Sequence, residues 1–460
     1  MAIACRASRA CANPLPASFC RRSNVRLSSV STSFRLTILL IAASPAILFV
    51  DSAMIHGIVA VVTAVAVGAL ARGIRPGEAE HLSALLRPVI AVLAIPAVWM
   101  LIQAVPMPVP GLANPIWASA AAGLGRSLMG RISVSPDATL LSLARYLAIV
   151  GIGLAAMAVS IDRRRAEWML FWLTGITSLV AGLLVIDNLG IVKFLEANGS
   201  LAVASPIAAT GVLGTVIAAC AAIRAYERYE TRRSVNEMTF GKFARAFALS
   251  LGAFSICWFA LSGRSVQIFA AACATATVVL IEVIRRLGLG RWVGAAIALV
   301  AITVASAVAV NQAGVARDLT LRFAGGAPGA SVAVAERIMA DTRWTGSGAG
   351  TFSALTPIYR DVDDADISAA PTTAAAIAID LGRPLLLVSV LTMIAAAALL
   401  LRGALRRGRD SFYPVAGVGC VLALTIEAFT DATALSSAPQ IIAATVLGLA
   451  LAQSVSRTSQ

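Results

Sequence analysis

The residues best suited to chemistry are arginines and carboxylates outside the apolar runs, and the longest polar stretch that holds them lies between residues 311 and 382. That stretch supplies Arg317, Arg322, Arg337, Arg343 and Arg360, with Arg383 just beyond, and an acidic run of Asp361, Asp363, Asp364 and Asp366. A planar guanidinium with five donors suits a phosphate or diphosphate. Arg264, in LSGRSVQIF at a very short turn between two apolar runs, presents the same group beside Ser262 and Ser265. It reads either as a phosphate ligand or as a plain turn cation. The acidic run reads as a solvated surface or a weak cation site; it lacks the glycine and distal glutamate of a calcium loop. Gly346, Gly348 and Gly350 alternate in WTGSGAGTF, a turn in which backbone amides can approach a ligand or the loop can fold tightly. No strand precedes it and no helix-opening GxGxxG follows, so a dinucleotide fold is excluded.

Apolar residues make up 59% of the 460 and charged residues 13%, a balance that soluble domains do not show. Apolar runs of about 17–25 residues predict an all-α, polytopic membrane protein with about twelve spans and one large outer loop between the ninth and tenth. The spans are placed near 34–50, 53–71, 88–107, 138–160, 168–187, 206–223, 246–262, 265–284, 293–310, 384–401, 412–428 and 439–454. The chain thus divides into a cytosolic tail (1–33), nine spans (34–310), a large loop (311–372), a short membrane-facing helix over 373–381 with three more spans (to 454), and a cytosolic tail (455–460). Residues 1–33 also look superficially like a transit peptide.

The net charge of +14 could suggest nucleic acid, but most of the 37 Lys and Arg fall on alternate connections, including Arg163-Arg164-Arg165 and Arg402, Arg406, Arg407 and Arg409. That asymmetry predicts both termini inside and the 311–372 loop outside, the periplasm in a bacterium. No nucleic-acid partner is expected. The seven cysteines show neither disulfide nor metal spacing, and no metal or cofactor is predicted. Within the spans, Arg145, Asp187, Glu282 and Glu427 are the charges to explain. An arginine at the bilayer centre costs about 2.5–3.5 kcal/mol on insertion scales, so each implies a partner, a cavity or a path to the interface.

The S-G-R turn, the following span, and a long loop ending in RWTGSGAGTF…Y and then D-L-G together resemble the bacterial O-antigen ligase and polymerase superfamily. The matching residues are Arg264, Trp344, Gly346, Gly348, Gly350, Thr351, Phe352, Tyr359, Asp380 and Gly382, and the similarity covers about 250–390. The resemblance implies transfer or polymerisation of a polyprenyl-diphosphate-linked glycan at the periplasmic face of the inner membrane. Partners would be that lipid-linked glycan, membrane lipids and other polysaccharide-assembly proteins. Arg264, Arg322 and Arg337 would clamp the diphosphate, with Gly346, Gly348, Gly350 and Tyr359 contributing to binding. Family members carry a His-Asn pair about eleven residues before the glycine of the D-x-G position; here that place holds Pro371-Thr372. His56 and His81 are read as too far from the outer face to replace it, and Asp380 or Asp364 is expected to take the proton. A non-catalytic glycan-lipid-binding or scaffold relative, and a flippase of lipid-linked sugars, remain as alternatives.

Overall fold

The computed structural model describes residues 17–454 except 51, 74–75, 107–110, 192–200, 233–238, 288–317, 325–326, 362–366, 368 and 407–409. The described residues form helices and connections, with no strand among them. The chain is an all-α, multi-pass membrane protein. Eleven helices among the described residues are long and apolar enough to cross a membrane. The predicted ninth span, 293–310, lies outside the described residues.

In chain order the helices are α1 (Ala17–Phe49), α2 (Ala53–Gly73), α3 (Pro76–Ala104), α4 (Ile116–Leu124), α5 (Pro136–Val159), α6 (Arg163–Asn188), α7 (Leu201–Arg232), α8 (Phe240–Ala260), α9 (Ser265–Arg286), α10 (Gly329–Asp341), α11 (Phe352–Tyr359), α12 (Thr373–Asp380), α13 (Arg383–Arg406), α14 (Phe412–Thr430) and α15 (Ser437–Ser454). The short helix expected over 373–381 is α12. A short 3-10 turn, Thr433–Leu435, joins α14 to α15.

Burial sorts the spans into layers. α7, α14 and α15 run through the middle, with 78%, 72% and 67% of their apolar windows buried, whereas α3 and α13 are peripheral at 11% each. The main core joins α6, α7, α9, α14 and α15 through Leu173, Leu213, Ile217, Ala274, Val278, Tyr413 and Ile442. Outer helices turn residues such as Val61, Val65, Leu391 and Leu399 outward. In water that apolar exterior would be costly; in a bilayer it faces its own solvent.

The two ends of the bundle differ. At one end Arg163 reaches Asp410 at 2.7 Å, Arg224 and Arg228 both reach Glu167, and Arg285 contacts Glu282 (2.7 Å) and Glu227 (3.2 Å). This network ties α6, α7, α9 and the start of α14 together. The other end, the loop end, carries the described residues of the 318–382 stretch. There α10, α11 and α12 enclose a second, smaller core of Leu321, Val334, Ile338, Met339, Phe352, Leu355 and Ile379. The loop is therefore a folded unit with its own apolar centre.

Candidate functional site

The loop unit is held to the bundle by backbone carbonyls that find side-chain donors. Gln103, buried near the end of α3, gives its amide to the carbonyls of Thr345 and Asp380, each at 3.0 Å. Trp99 donates its indole N–H to the Leu381 carbonyl at 2.8 Å. Val134 donates its backbone N–H to the Ser347 carbonyl at 2.8 Å, and Arg343 reaches the carbonyls of Gly111 and Ala113. At the far side of the unit, Thr373 gives both its backbone N–H (2.9 Å) and its hydroxyl (3.0 Å) to the Asp431 carbonyl. The α12 N-terminus is thereby seated on the connection between α14 and α15.

The glycine turn is a packing device in this setting. Gly346 and Gly382 both have positive φ (79° and 95°), and their backbones approach so closely that a Cβ on Gly382 would collide with the Trp344 carbonyl. A side chain at Gly348 would meet Ser133 and one at Gly350 would meet Ser142. The amides around the turn are already committed. Gly346 N–H goes to the Arg343 carbonyl, Ser347 N–H to Ile379, Gly348 N–H to Asp380 and Thr351 N–H to Gly348. These glycines were expected to contact substrate; the structure assigns the N–H groups of Gly346, Gly348 and Gly350 to the protein's own acceptors.

Asp380 accounts for two more amides. Its carboxylate accepts the Gly350 N–H at 2.7 Å and the Phe352 N–H at 3.1 Å, closing the start of α11. An acidic group fits there, where the first N–H groups of a helix lack partners. Burial pushes its pKa up from 3.8 to about 7, and the donated hydrogen bonds pull against that rise. The residue expected to act as a base is thus placed as a staple between the turn and α11.

The remaining expected residues scatter. Arg337 is exposed and forms a two-pronged pair with Asp361, at 2.9 and 3.1 Å, while also donating to the Tyr359 carbonyl. That pairing holds the Asp361 carboxyl below its ordinary pKa. Partial burial, then the Asp341 carboxylate beside it, pushes the Tyr359 phenol up. Arg322 is exposed on the loop surface. Asp364, with Asp363 and Asp366, lies outside the described residues.

Arg264 has different surroundings. It precedes α9 at the loop end and is half-buried; burial lowers its pKa and the Asp431 carboxylate raises it again. Among the described residues no hydrogen bond or ion pair engages its guanidinium. Asp431 accepts from the Ser205 hydroxyl at 2.8 Å and from the Gln267 amide at 3.1 Å through one oxygen, and from the Ala432 N–H through the other. Arg264 and Gln267 at the start of α9, Ser205 on α7 and Asp431 after α14 thus come from three separate stretches and meet where α12 is seated. Asp431 was not among the residues expected from sequence; the available signal was an acid directly after a span that already carried Glu427.

The histidine expectation is also revised. His56 lies in the first turn of α2 at the loop end, 2.9 Å from the Ser437 hydroxyl, and its Nε2 is 2.8 Å from an Arg145 Nη. It therefore belongs to the same end of the bundle as Arg264. The same contact explains how Arg145 is tolerated within a span: its partners are on α2 and α15.

No protein-family model matches this chain and the comparison with curated proteins returns no match, so the reading of the site rests on the geometry above.

Proposed function

We propose that this chain transfers or polymerises a polyprenyl-diphosphate-linked glycan at the loop end of its bundle, working in the bacterial inner membrane with that end facing the periplasm. The observation that carries the reading is Arg264, a half-buried guanidinium engaged by no hydrogen bond or ion pair among the described residues, beside the seat of α12. In such a transfer an acceptor hydroxyl oxygen bonds to the anomeric carbon and releases its proton to water, the sugar–phosphate bond breaks, and the lipid diphosphate departs with added negative charge. A fixed cation in a partly desolvated place stabilises that charge more than it stabilises the ground state. Asp431, oriented by Ser205 and Gln267, holds the electrostatic balance beside Arg264. Asp380 serves the loop's architecture, so the clamp rather than a known base carries the proposal.

The test is complementation of a deletion strain, read as surface polysaccharide on a gel, with Arg264→Ala inserted at wild-type level. Loss of the long-chain ladder or of glycan attached to its acceptor supports the reading; an unchanged profile rejects it. A second reading, movement of a lipid-linked sugar across the membrane, draws support from Glu427, a carboxylate buried within a span. Carrier-linked repeat units accumulating on the inner side of the deletion strain would favour it.

A further inference from the structure

We propose that Glu427 ligates a hard monovalent cation of the sodium class at the loop end of α14. Glu427 is 1% exposed, and both its carboxylate oxygens are buried without a hydrogen-bond partner. Buried polar groups in folded proteins nearly always have one, and an unmatched pair of carboxylate oxygens points to a bound species. A second buried oxygen without a partner, the Thr433 hydroxyl, lies six residues further along the same stretch.

Charge decides the class of ligand. Asp431 follows one helical turn after Glu427, with its N–H on the Glu427 carbonyl at 2.8 Å, and its negative charge acts on Glu427. Arg264 faces Asp431. With Glu427 ionised, two carboxylates and one guanidinium give −2 + 1 = −1, which one positive charge, a cation or a proton on Glu427, balances. The two Glu427 oxygens and the Thr433 hydroxyl are oxygen donors, the kind preferred by hard cations. No group of three His, Cys, Asp or Glu side chains converges among the described residues, so the donor set does not suit a transition metal. Cys420 lies seven residues before Glu427 on the same helix, and Gln267 and Ser205 are committed to Asp431.

The position gives the cation a consequence. The same connection offers the Asp431 carbonyl that seats Thr373 and the α12 N-terminus. A cation at Glu427 would draw this turn into one arrangement and so strengthen the seat of the loop unit. The inference stands apart from the glycan chemistry above, because cation binding is measurable without any substrate.

The experiment uses the full chain in nanodiscs. Its unfolding midpoint is compared in sodium, potassium, calcium and N-methylglucamine chlorides at matched ionic strength, together with binding of radiolabelled sodium. Sodium should raise the midpoint saturably by a few degrees over N-methylglucamine, as expected for a ligand that binds only the folded state. Glu427→Gln keeps the shape, removes the charge, and should abolish both the shift and the bound label. Equal midpoints in all four salts would overturn the proposal, as would a response to calcium alone. A protonated-acid carbonyl stretch in wild type that Glu427→Gln removes would overturn it too, by showing a proton on that side chain. If the variant fails to insert, the wild-type binding isotherm decides the question alone.

Discussion

The Asp380 carboxylate spans the start of α11, taking the Gly350 N–H at 2.7 Å on one oxygen and the Phe352 N–H at 3.1 Å on the other. A carboxylate accepts on both atoms, whereas an amide accepts on only one. Asp380→Asn should therefore leave one N–H opposed by another N–H, costing about 1 kcal/mol. Thermal unfolding of the purified protein checks this, and a midpoint equal to wild type would mean that the staple is idle.

The same group gives a pH dependence with a definite sign. Its folded pKa is raised to about 7 from an ordinary value of 3.8. The unfolded chain therefore loses its proton first. The contribution is fully present below about 4 and is lost as pH rises through about 7. The unfolding midpoint should be lower at pH 8 than at pH 6, and Asp380→Asn should shrink that difference. A midpoint that rises with pH in wild type but not in Asp380→Asn would mean that the N–H donors outweigh burial.

Gly382 tests whether the turn is architecture. At φ 95° any side chain is strained by about 1–3 kcal/mol, and its Cβ would strike the Trp344 carbonyl. Gly382→Ala should release residues 345–382 from α3, seen as faster limited proteolysis in that stretch while the helical bundle persists. An unchanged digestion pattern would show that the backbone has room to yield.

Gln103 is a second anchor with a different failure mode. Its Nε2 serves two carbonyls, those of Thr345 and Asp380, and replacement by Leu leaves both without that donor. The expected cost is about 1–3 kcal/mol, again local to the loop unit. Gln103→Leu should show the same accelerated proteolysis of 345–382, and wild-type resistance would assign the anchoring to Trp99 and Val134 instead.

The arginines separate by their surroundings. Arg337 sits in an exposed pair with Asp361, and such pairs contribute little. Arg337→Ala should therefore leave polysaccharide output near wild type, while Arg264→Ala should reduce it about 10²-fold if Arg264 meets developing charge. Equal losses from the two variants would remove the special standing given to Arg264.

The helical type of the chain and the place of eleven spans were legible from sequence because a span is a local property, whereas the short helices α4, α10 and α11 were not read. About twenty apolar residues between charged or Pro/Gly breaks suffice, and runs such as 53–71 and 265–284 fall within two residues of α2 and α9. Position along the chain also disclosed the loop and its glycine turn. What the turn does was not legible. Gly346 meets Gly382, Gly348 meets Ser133 and Asp380 meets Gly350, and each pair joins segments whose approach depends on how the helices pack.

His56 shows the same limit. Its neighbours in sequence are Ile55 and Gly57, while its hydrogen-bond partners, Arg145 and Ser437, are contributed by helices 89 and 381 residues away. The sequence by itself determined an apolar, multi-helical chain with one long polar insertion, since hydropathy acts residue by residue along the backbone. The tertiary structure decided that Arg264 would stand beside Asp431 and that Asp380 would hold a turn together. A hydrogen bond or a buried charge is set by which side chains share a few ångströms, and only the packed bundle brings those atoms to one place.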